Sequence, residues 1–209
     1  MRDRIVRHAG PDRAIHWIIA VGTLILLGTA FLPILGIEFA WVAIHWWTGI
    51  VVIAAVVAHI ARSLIVKRLA RIWISRRDLR DAVSIAKTNL RLAAGPLPKP
   101  GKFSFAQKLI HLAFAVVVLA ACVTGAMLMV RVDTPFWERN PYWLSDETWG
   151  VVSVVHGLSA LLLITLVMTH VYFALRPEKL MFLRAMVLGW ITEKEFERAH
   201  DPERWQVRK

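Results

Sequence analysis

Cysteine and acidic residues are scarce in this sequence. Cys122 is the only cysteine among 209 residues, which excludes an intrachain disulfide. It also excludes a self-contained iron–sulfur cluster, since such a cluster takes about four thiolates. Acidic residues number 15 against 26 lysines and arginines, and no glutamate falls within the long apolar stretches, which excludes a di-iron carboxylate bundle. A zinc site is excluded as well, because zinc ligands converge on one point, whereas the histidines of this chain are spread along its apolar stretches.

Charged residues are absent from four long stretches of the chain, which is 57% hydrophobic with a mean hydropathy of +0.52. Each stretch reaches about the 20 residues needed to cross the hydrocarbon core of a bilayer. A spanning chain must satisfy its backbone hydrogen bonds internally, so the sequence predicts an all-α integral membrane four-helix bundle. Tryptophans cluster near the ends of the stretches, as in interfacial belts. The predicted spans are 15–35, 40–61, 109–130 and 149–175.

The basic residues are distributed unequally between the two sides of these spans. Of 26 lysines and arginines, 24 fall before the first span, between the second and third, or after the fourth. By the positive-inside rule, both termini and the segment 62–108 are cytoplasmic. The net charge of +11 therefore indicates topology and an affinity for anionic membrane lipid rather than for nucleic acid. The first span is too long for a signal peptide and is predicted to be retained.

One segment between the spans has helical periodicity of its own. Within 76–92, apolar residues recur at positions 79, 83, 86 and 90, with charged residues elsewhere. This pattern predicts a helix lying on the cytoplasmic membrane surface. The proline- and glycine-rich segment 95–101 then leads into the third span. Since no internal repeat is visible, residues 1–209 are predicted to form a single membrane domain. The histidines within the spans predict that this domain holds two haems.

Histidines stand within the spans, where ionisable residues are costly and are functional candidates by default. His156 and His170 are fourteen residues apart, so on a helix they point to within about 40° of the same face, roughly 21 Å apart along the axis. A haem takes an axial nitrogen on each of its faces. Two imidazoles near opposite sides of the membrane therefore predict two haems. The alternative for any one of them is a neutral histidine hydrogen-bonded between helices.

Each of these histidines needs a partner at similar depth on another helix. His45 lies near the outer start of the second span and matches His156. On the inner side, either His16 or His59 matches His170. Because His45 and His59 are also fourteen residues apart, spacing alone leaves this choice open.

Several motifs spread over nearly the whole chain are also characteristic. They are Asp-Arg-Ala-Ile-His-Trp at 12–17, His45 with Gly49, His156 with His170, Lys-Phe-Ser-Phe-Ala-Gln-Lys at 102–108, and His-Asp-Pro-Glu-Arg-Trp at 200–205. Together they resemble the cytochrome b subunits of respiratory formate dehydrogenases. This family lies within the group that includes bacterial cytochrome b561 and the nickel–iron hydrogenase cytochrome b. The last two motifs favour the formate dehydrogenase branch.

The resemblance implies two haem b groups and assigns the iron ligands of each. His45 and His156 would hold the outer haem, whereas His16 and His170 would hold the inner one. The resemblance thus selects His16 over His59. His59 is a departure from the family pattern, because an apolar residue is expected at that position.

The resemblance also implies further binding residues near the inner haem. Arg62 matches a family arginine and is a plausible partner for haem propionates. A menaquinone or ubiquinone would bind near Ser104, Ala106, Gln107 and His170. Ser104 and Ala106 stand where the formate dehydrogenase subunit has Asn and Gly.

The function implied is electron transfer across the bacterial inner membrane. Electrons would pass from a periplasmic iron–sulfur subunit, supplied by a catalytic dehydrogenase subunit, to the quinone. The chain alone is not expected to be an enzyme, and bis-histidine ligation leaves no coordination position for oxygen. The alternatives are a cytochrome b subunit of a hydrogenase or of a thiosulfate or polysulfide reductase, a stand-alone quinol oxidase of the cytochrome b561 kind, and a haem-free membrane anchor or transporter subunit.

Overall fold

The computed structural model describes residues 4–66 and 72–206, and most of these residues are helical. The basic residues at 67–71, which enter the sequence-based orientation, lie outside the described residues. The helices are α1 (Gly10–Phe31), α2 (Trp41–Ile65), α3 (Arg76–Asn89), α4 (Phe105–Leu128), α5 (Asp146–Leu175), α6 (Leu180–Leu188) and α7 (Glu193–Ala199). The strands are β1 (Arg4–Val6) and β2 (Trp190–Thr192).

Four helical segments are long and apolar enough to cross a membrane. Their hydropathies lie between 2.0 and 2.5, and together they confirm the four predicted spans. Large apolar side chains on them face outward; Leu24 and Val116, for example, are 57% and 61% exposed. Such exposure suits helices surrounded by lipid, where only the backbone has to be satisfied internally. The segments are Gly10–Leu35, Trp41–Ile65, Phe105–Arg131 and Asp146–Leu175.

The chain divides into two compact units, each of which contains parts of several helices. We call residues 14–61 and 113–169 the helical unit, since it holds the central parts of the spanning helices. We call residues 1–13, 62–112 and 170–209 the terminal unit, since it holds both ends of the chain.

Within the helical unit, α1 and α2 are antiparallel neighbours. Gly22 of α1 packs against Val52 of α2, whereas Thr29 further along α1 contacts His45 near the start of α2. A Cβ on Gly22 would lie only 2.4 Å from Val52 Cγ2, so this helix contact requires glycine. The connection between these helices contains a short 3-10 turn, Pro33–Leu35, capped by Gly36, whose φ of +84° lies in the left-handed region.

The terminal unit contains a small sheet that the all-α prediction did not include. β1 and β2 pair antiparallel, with Ile5 opposite Ile191. Ile5 packs against a buried cluster formed by Ala185, Ile191, Phe196 and Trp205. Each strand is three residues long, too short for an alternating pattern to predict it. The sheet ties the amino-terminal segment to the carboxyl-terminal one.

A buried arginine and a buried histidine lie beside this cluster. Arg7 Nη1 donates to His200 Nε2 at 2.8 Å, and His200 Nδ1 lies 2.7 Å from the Gly101 carbonyl oxygen. The Arg7 guanidinium also lies 4.7 Å from the ring centroid of Phe182. Burial lowers the pKa of Arg7 to about 10, and burial together with the Arg7 charge lowers the pKa of His200 to about 4. His200 is therefore neutral at physiological pH.

A helix is present where the sequence predicts one after the second span: it is α3, which ends earlier than expected. Its place on the membrane surface stays a prediction. Ser75 and Asp78 form a capping box at its start. The Asp78 carboxylate also pairs with Lys108 Nζ at 2.7 Å, and these partners hold the pKa of Asp78 below its usual value despite burial. The helix ends at Asn89, and Arg91 adopts a φ of +58°, so the helical pattern cannot continue to residue 92.

Candidate functional site

His45 of α2 and His156 of α5 face each other within the helical unit. Their ring centroids are 6.3 Å apart and the ring planes are inclined by 74°. The structure thus brings together the two histidines that depth matching paired on the outer side. Their separation is too large for a direct hydrogen bond between the rings.

The spacing of these two rings suits a metal ion held between them. Metal–nitrogen bonds of about 2 Å on either side of one iron put the imidazole centroids about 6 Å apart. Among residues 4–66 and 72–206, no group of three or more His, Cys, Asp or Glu side chains is placed to hold a metal ion. A macrocycle such as haem would supply the remaining ligands of an iron held between the two rings. The donor set fits, because neutral imidazoles are common haem ligands.

A threonine from the preceding spanning helix binds each imidazole. Thr29 Oγ1 lies 2.8 Å from His45 Nδ1, and Thr124 Oγ1 lies 3.0 Å from His156 Nδ1. Both bonds use Nδ1, which leaves Nε2 of each ring available for a metal. Neither threonine was predicted from the sequence, where the signal was a polar side chain inside an otherwise apolar span.

Glycines leave space around the same pair of rings. A Cβ added to Gly125 would lie 3.1 Å from His156 Cε1, so a larger residue there would push the ring. Gly49, one turn after His45, and Gly157, next to His156, would meet no heavy atom within 4 Å. Open space at these positions gives a flat macrocycle room beside the ligands.

Aromatic side chains surround the end of α2 that carries His45. Trp41 stands edge-on to the His45 ring, with centroids 6.3 Å apart. Trp46 and Trp47 stack at 4.3 Å, and Phe136 lies 5.7 Å from Trp47. These rings match the predicted interfacial belt at the outer ends of the spans.

The histidines proposed for the inner side lie on three different helices. His16 is on α1, where its ring stands edge-on to Trp17 at 5.5 Å, and His59 is on α2. Both belong to the helical unit, whereas His170 of α5 belongs to the terminal unit. The pairing of His170 with either of them stays a prediction.

Arg62, the candidate propionate partner, is engaged by an acidic side chain. Its Nε donates to Asp12 Oδ1 at 2.5 Å, and both side chains are partly exposed. The pair uses the inner nitrogen of the guanidinium and leaves the two terminal nitrogens as donors toward another anion.

The predicted quinone residues lie at the start of α4. Ser104 and Gln107 form a reciprocal cap there: Ser104 N donates to Gln107 Oε1 at 3.0 Å, and Gln107 N donates to Ser104 Oγ at 3.3 Å. Gln107 therefore has a structural role through its oxygen, while its amide NH₂ makes no hydrogen bond to the described residues. Ala106 is exposed.

Sequence comparisons cover almost the whole chain. A family model described as prokaryotic cytochrome b561 matches residues 7–207. The chain is 28% identical to the formate dehydrogenase cytochrome b556(fdo) subunit of Escherichia coli K12, over 100% of this chain and 95% of that protein. It is 24% identical to the formate dehydrogenase cytochrome b556 subunit of Haemophilus influenzae, over 97% of this chain and 82% of that protein. These matches confirm the resemblance drawn from the sequence motifs.

Proposed function

Since the chain belongs to the prokaryotic cytochrome b561 family, we propose that it is a di-haem cytochrome b subunit of a formate dehydrogenase. It carries electrons across the bacterial inner membrane from an iron–sulfur subunit to a quinone. Haem binding and electron transport follow from the family, and the four spanning helices make the chain a multi-pass membrane protein. The single observation that supports the proposal most is the pair His45 and His156, with ring centroids 6.3 Å apart.

In this proposal, His45 and His156 would hold the iron of the outer haem. A bound haem b supplies a one-electron couple at its iron. The two Nε2 atoms would fill both axial positions, so the site would carry electrons without binding oxygen.

His16 and His170 are proposed as the ligands of the inner haem, with Arg62 beside its propionates. The motif around His16 supports this choice, and so does the Asp12–Arg62 pair. Asp12 fixes one nitrogen of the guanidinium, which orders a long side chain while leaving its terminal donors available. A propionate could then accept two hydrogen bonds from the same group.

The quinone is proposed to bind near Ser104, Ala106, Gln107 and His170. Gln107 is the residue best equipped to recognise a quinone carbonyl, because its NH₂ is a donor that the cap does not use. A menaquinone or a ubiquinone would present the same carbonyl acceptor. The chain itself would convert no substrate without its partner subunits.

We also propose that both termini and α3 lie on the cytoplasmic side, and that residues 1–209 act as one domain. The face of α3 that carries Leu79 and Val83 is exposed, with these side chains 55% and 48% accessible. Asp78 on the opposite face is buried against Lys108. An exposed apolar face flanked by arginines suits the boundary between acyl chains and anionic headgroups.

Two measurements on the purified full-length protein test the proposal. A pyridine haemochromogen assay should give a b-type spectrum; its absence would favour a haem-free membrane anchor. Affinity purification from native membranes should then recover an iron–sulfur subunit and a dehydrogenase subunit. Quinol oxidation by the chain alone, with no such partners recovered, would favour a stand-alone quinol oxidase. Recovery of a hydrogenase subunit would instead make the chain the cytochrome b subunit of a hydrogenase. Recovery of a thiosulfate or polysulfide reductase subunit would assign it to that reductase.

A further inference from the structure

The two facing imidazoles have the same kind of partner on the nitrogen that points away from the site. Thr29 Oγ1 contacts His45 Nδ1 at 2.8 Å, and Thr124 Oγ1 contacts His156 Nδ1 at 3.0 Å. The threonines are only 5% and 8% exposed, so water does not compete for these bonds. Each comes from the helix that precedes its histidine along the chain.

The hydroxyl protons settle which atom donates in these contacts. Thr29 Oγ1 lies 2.9 Å from the Ile25 carbonyl oxygen and 3.0 Å from that of Leu26. Carbonyl oxygens only accept, so the single hydroxyl proton of Thr29 is directed to the backbone. With its proton directed there, the hydroxyl oxygen is placed to accept from His45, and this arrangement puts the His45 proton on Nδ1.

The same argument holds for the second ring. Thr124 Oγ1 lies 2.6 Å from the Ala120 carbonyl oxygen and 3.3 Å from that of Ala121. Its proton is thus also committed to the backbone, and His156 must donate from Nδ1. Both rings are held as the Nδ1–H tautomer, with the lone pair on Nε2.

We propose that Thr29 and Thr124 are positioning residues that orient both axial ligands of the outer haem and set its reduction potential. This inference rests on the proposed function, because it takes His45 and His156 as the ligands. A hydrogen bond accepted from Nδ1–H raises the basicity of Nε2, and a more basic ligand stabilises the oxidised iron. The bond also fixes the ring plane, and with it the 74° angle between the two imidazoles.

The two threonines would act on the same haem, each through one of its two histidine ligands. Removing either hydroxyl should therefore raise the midpoint potential of that haem, and removing both should raise it further. Loss of such a partner typically weakens metal affinity about 10- to 100-fold. The electron paramagnetic resonance signal of the oxidised haem should also change, since its anisotropy depends on the angle between the imidazole planes.

The test compares Thr29→Val and Thr124→Val, which keep the side-chain shape, with Thr29→Ser and Thr124→Ser, which keep the hydroxyl. Potentiometric titration of the full-length haem-loaded protein should show one haem at a higher potential in the Val variants and a wild-type potential in the Ser variants. Haem titration into the apoprotein should show the weaker affinity in the Val variants alone. Thr165→Val is the matched control, because among the described residues the hydrogen bond of Thr165 Oγ1 goes to the Leu161 carbonyl oxygen, four residues earlier on the same helix.

Unchanged potentials and unchanged resonance signals in both Val variants would overturn the inference. Ser variants that are shifted as much as the Val variants would overturn it too, since packing rather than the hydroxyl would then matter. If the Val variants do not accumulate, Thr29→Ala and Thr124→Ala remove the hydroxyl without adding bulk. A wild-type protein without a b-type spectrum would instead overturn the proposed function itself.

Discussion

His156 is held by two consecutive residues of α4. The Thr124 hydroxyl contacts its Nδ1, and a Cβ on the next residue, Gly125, would lie 3.1 Å from its Cε1. Hydrogen bonding and steric restriction thus act on the same ring from the same helix. At the scale of single residues, the geometry of the candidate site depends on these neighbours as much as on the histidines.

Replacing Gly125 by valine should displace the His156 ring and cost the chain its outer haem. The β-branched side chain would overlap the ring, so the haem content should fall from two per chain toward one. Gly125→Ala should have a smaller effect, a spectral shift without loss. The measurement is the haem content and the reduced-minus-oxidised spectrum of the purified variants.

Gly28→Ala is the control for this substitution, because a Cβ at Gly28 would meet only Leu32 Cδ1 at an ordinary 3.9 Å. It should keep the wild-type haem content. Wild-type content and spectrum in Gly125→Val would show that the His156 ring does not need this space.

His200 should make the stability of the protein depend on pH. Its pKa is lowered from 6.5 to about 4 by burial and by the Arg7 charge. The unfolded chain therefore binds more protons than the folded one between these values, and stability should fall as the pH drops from about 6.5 toward about 4. The loss from this group is on the order of 3 kcal/mol at most. Thermal unfolding in detergent between pH 7.5 and about 4.5 measures it.

His200→Gln separates this effect from that of the other histidines. Glutamine can accept from Arg7 through its oxygen and donate to the Gly101 carbonyl oxygen, yet it does not titrate. The variant should show a flatter dependence of the unfolding temperature on pH. A curve parallel to that of the wild type would contradict the assignment.

The haem-ligand candidates were predictable from sequence, whereas their threonine partners were not. Histidines are rare in apolar spans, and the interval from His156 to His170 already places both on one helix face. Threonine in a spanning helix ordinarily bonds back to the carbonyl four residues earlier, as Thr165 does. Thr29 and Thr124 do this as well, so only the contact across helices distinguishes them.

At the scale of elements, the start of α4 combines a helix cap with a candidate quinone contact. Gln107→Glu keeps the oxygen that accepts from Ser104 N and removes the NH₂ donor, whereas Gln107→Leu removes both. Both variants should slow quinone reduction several-fold, but only Gln107→Leu should lose about 1 kcal/mol of stability through the cap. Quinone reduction in membranes and thermal unfolding of the purified protein measure these two effects separately.

Both haem spectra should stay in place in the two Gln107 variants, which serves as the internal control. A wild-type rate of quinone reduction in Gln107→Glu would restrict Gln107 to its capping role.

The helix that supplies the inner ligand is tested by two single substitutions. His16→Ala should lose the inner haem, because α1 would provide the partner of His170. His59→Ala should retain both haems with at most a shifted potential, because this histidine is predicted to bind a propionate, a lipid phosphate or water. Optical and resonance spectra of the purified variants distinguish the two haems. Loss of the inner haem in His59→Ala would assign all four ligands to α2 and α5.

The long elements followed from the sequence, whereas the short ones did not. Runs of about 20 residues without Lys, Arg, Asp or Glu predicted all four spanning helices, since a helix of that length crosses the hydrocarbon core with its backbone bonded internally. The pairing of Ile5 with Ile191 depends on contacts between the two ends of the chain, and strands of three residues leave no local pattern. The apolar spacing also did not predict that α3 ends early. The helical pattern stops before residue 92 because Arg91 adopts a positive φ, which the spacing of apolar residues does not reveal.

At the scale of the whole molecule, the number of spans can be predicted from the sequence, whereas histidine spacing leaves two candidates, His16 and His59, for the inner partner of His170. Charge distribution supports one orientation for both termini and the segment 62–108. The family match over residues 7–207 extends through both compact units. The proposal that one chain holds two haems therefore concerns the molecule as a whole rather than either unit.

The most direct test of that claim is the number of haem b groups per polypeptide, measured by pyridine haemochromogen against quantitative amino-acid analysis. The account predicts two in the wild-type protein and one in His45→Ala and in His156→Ala. One haem per wild-type chain, or two in His45→Ala, would contradict it.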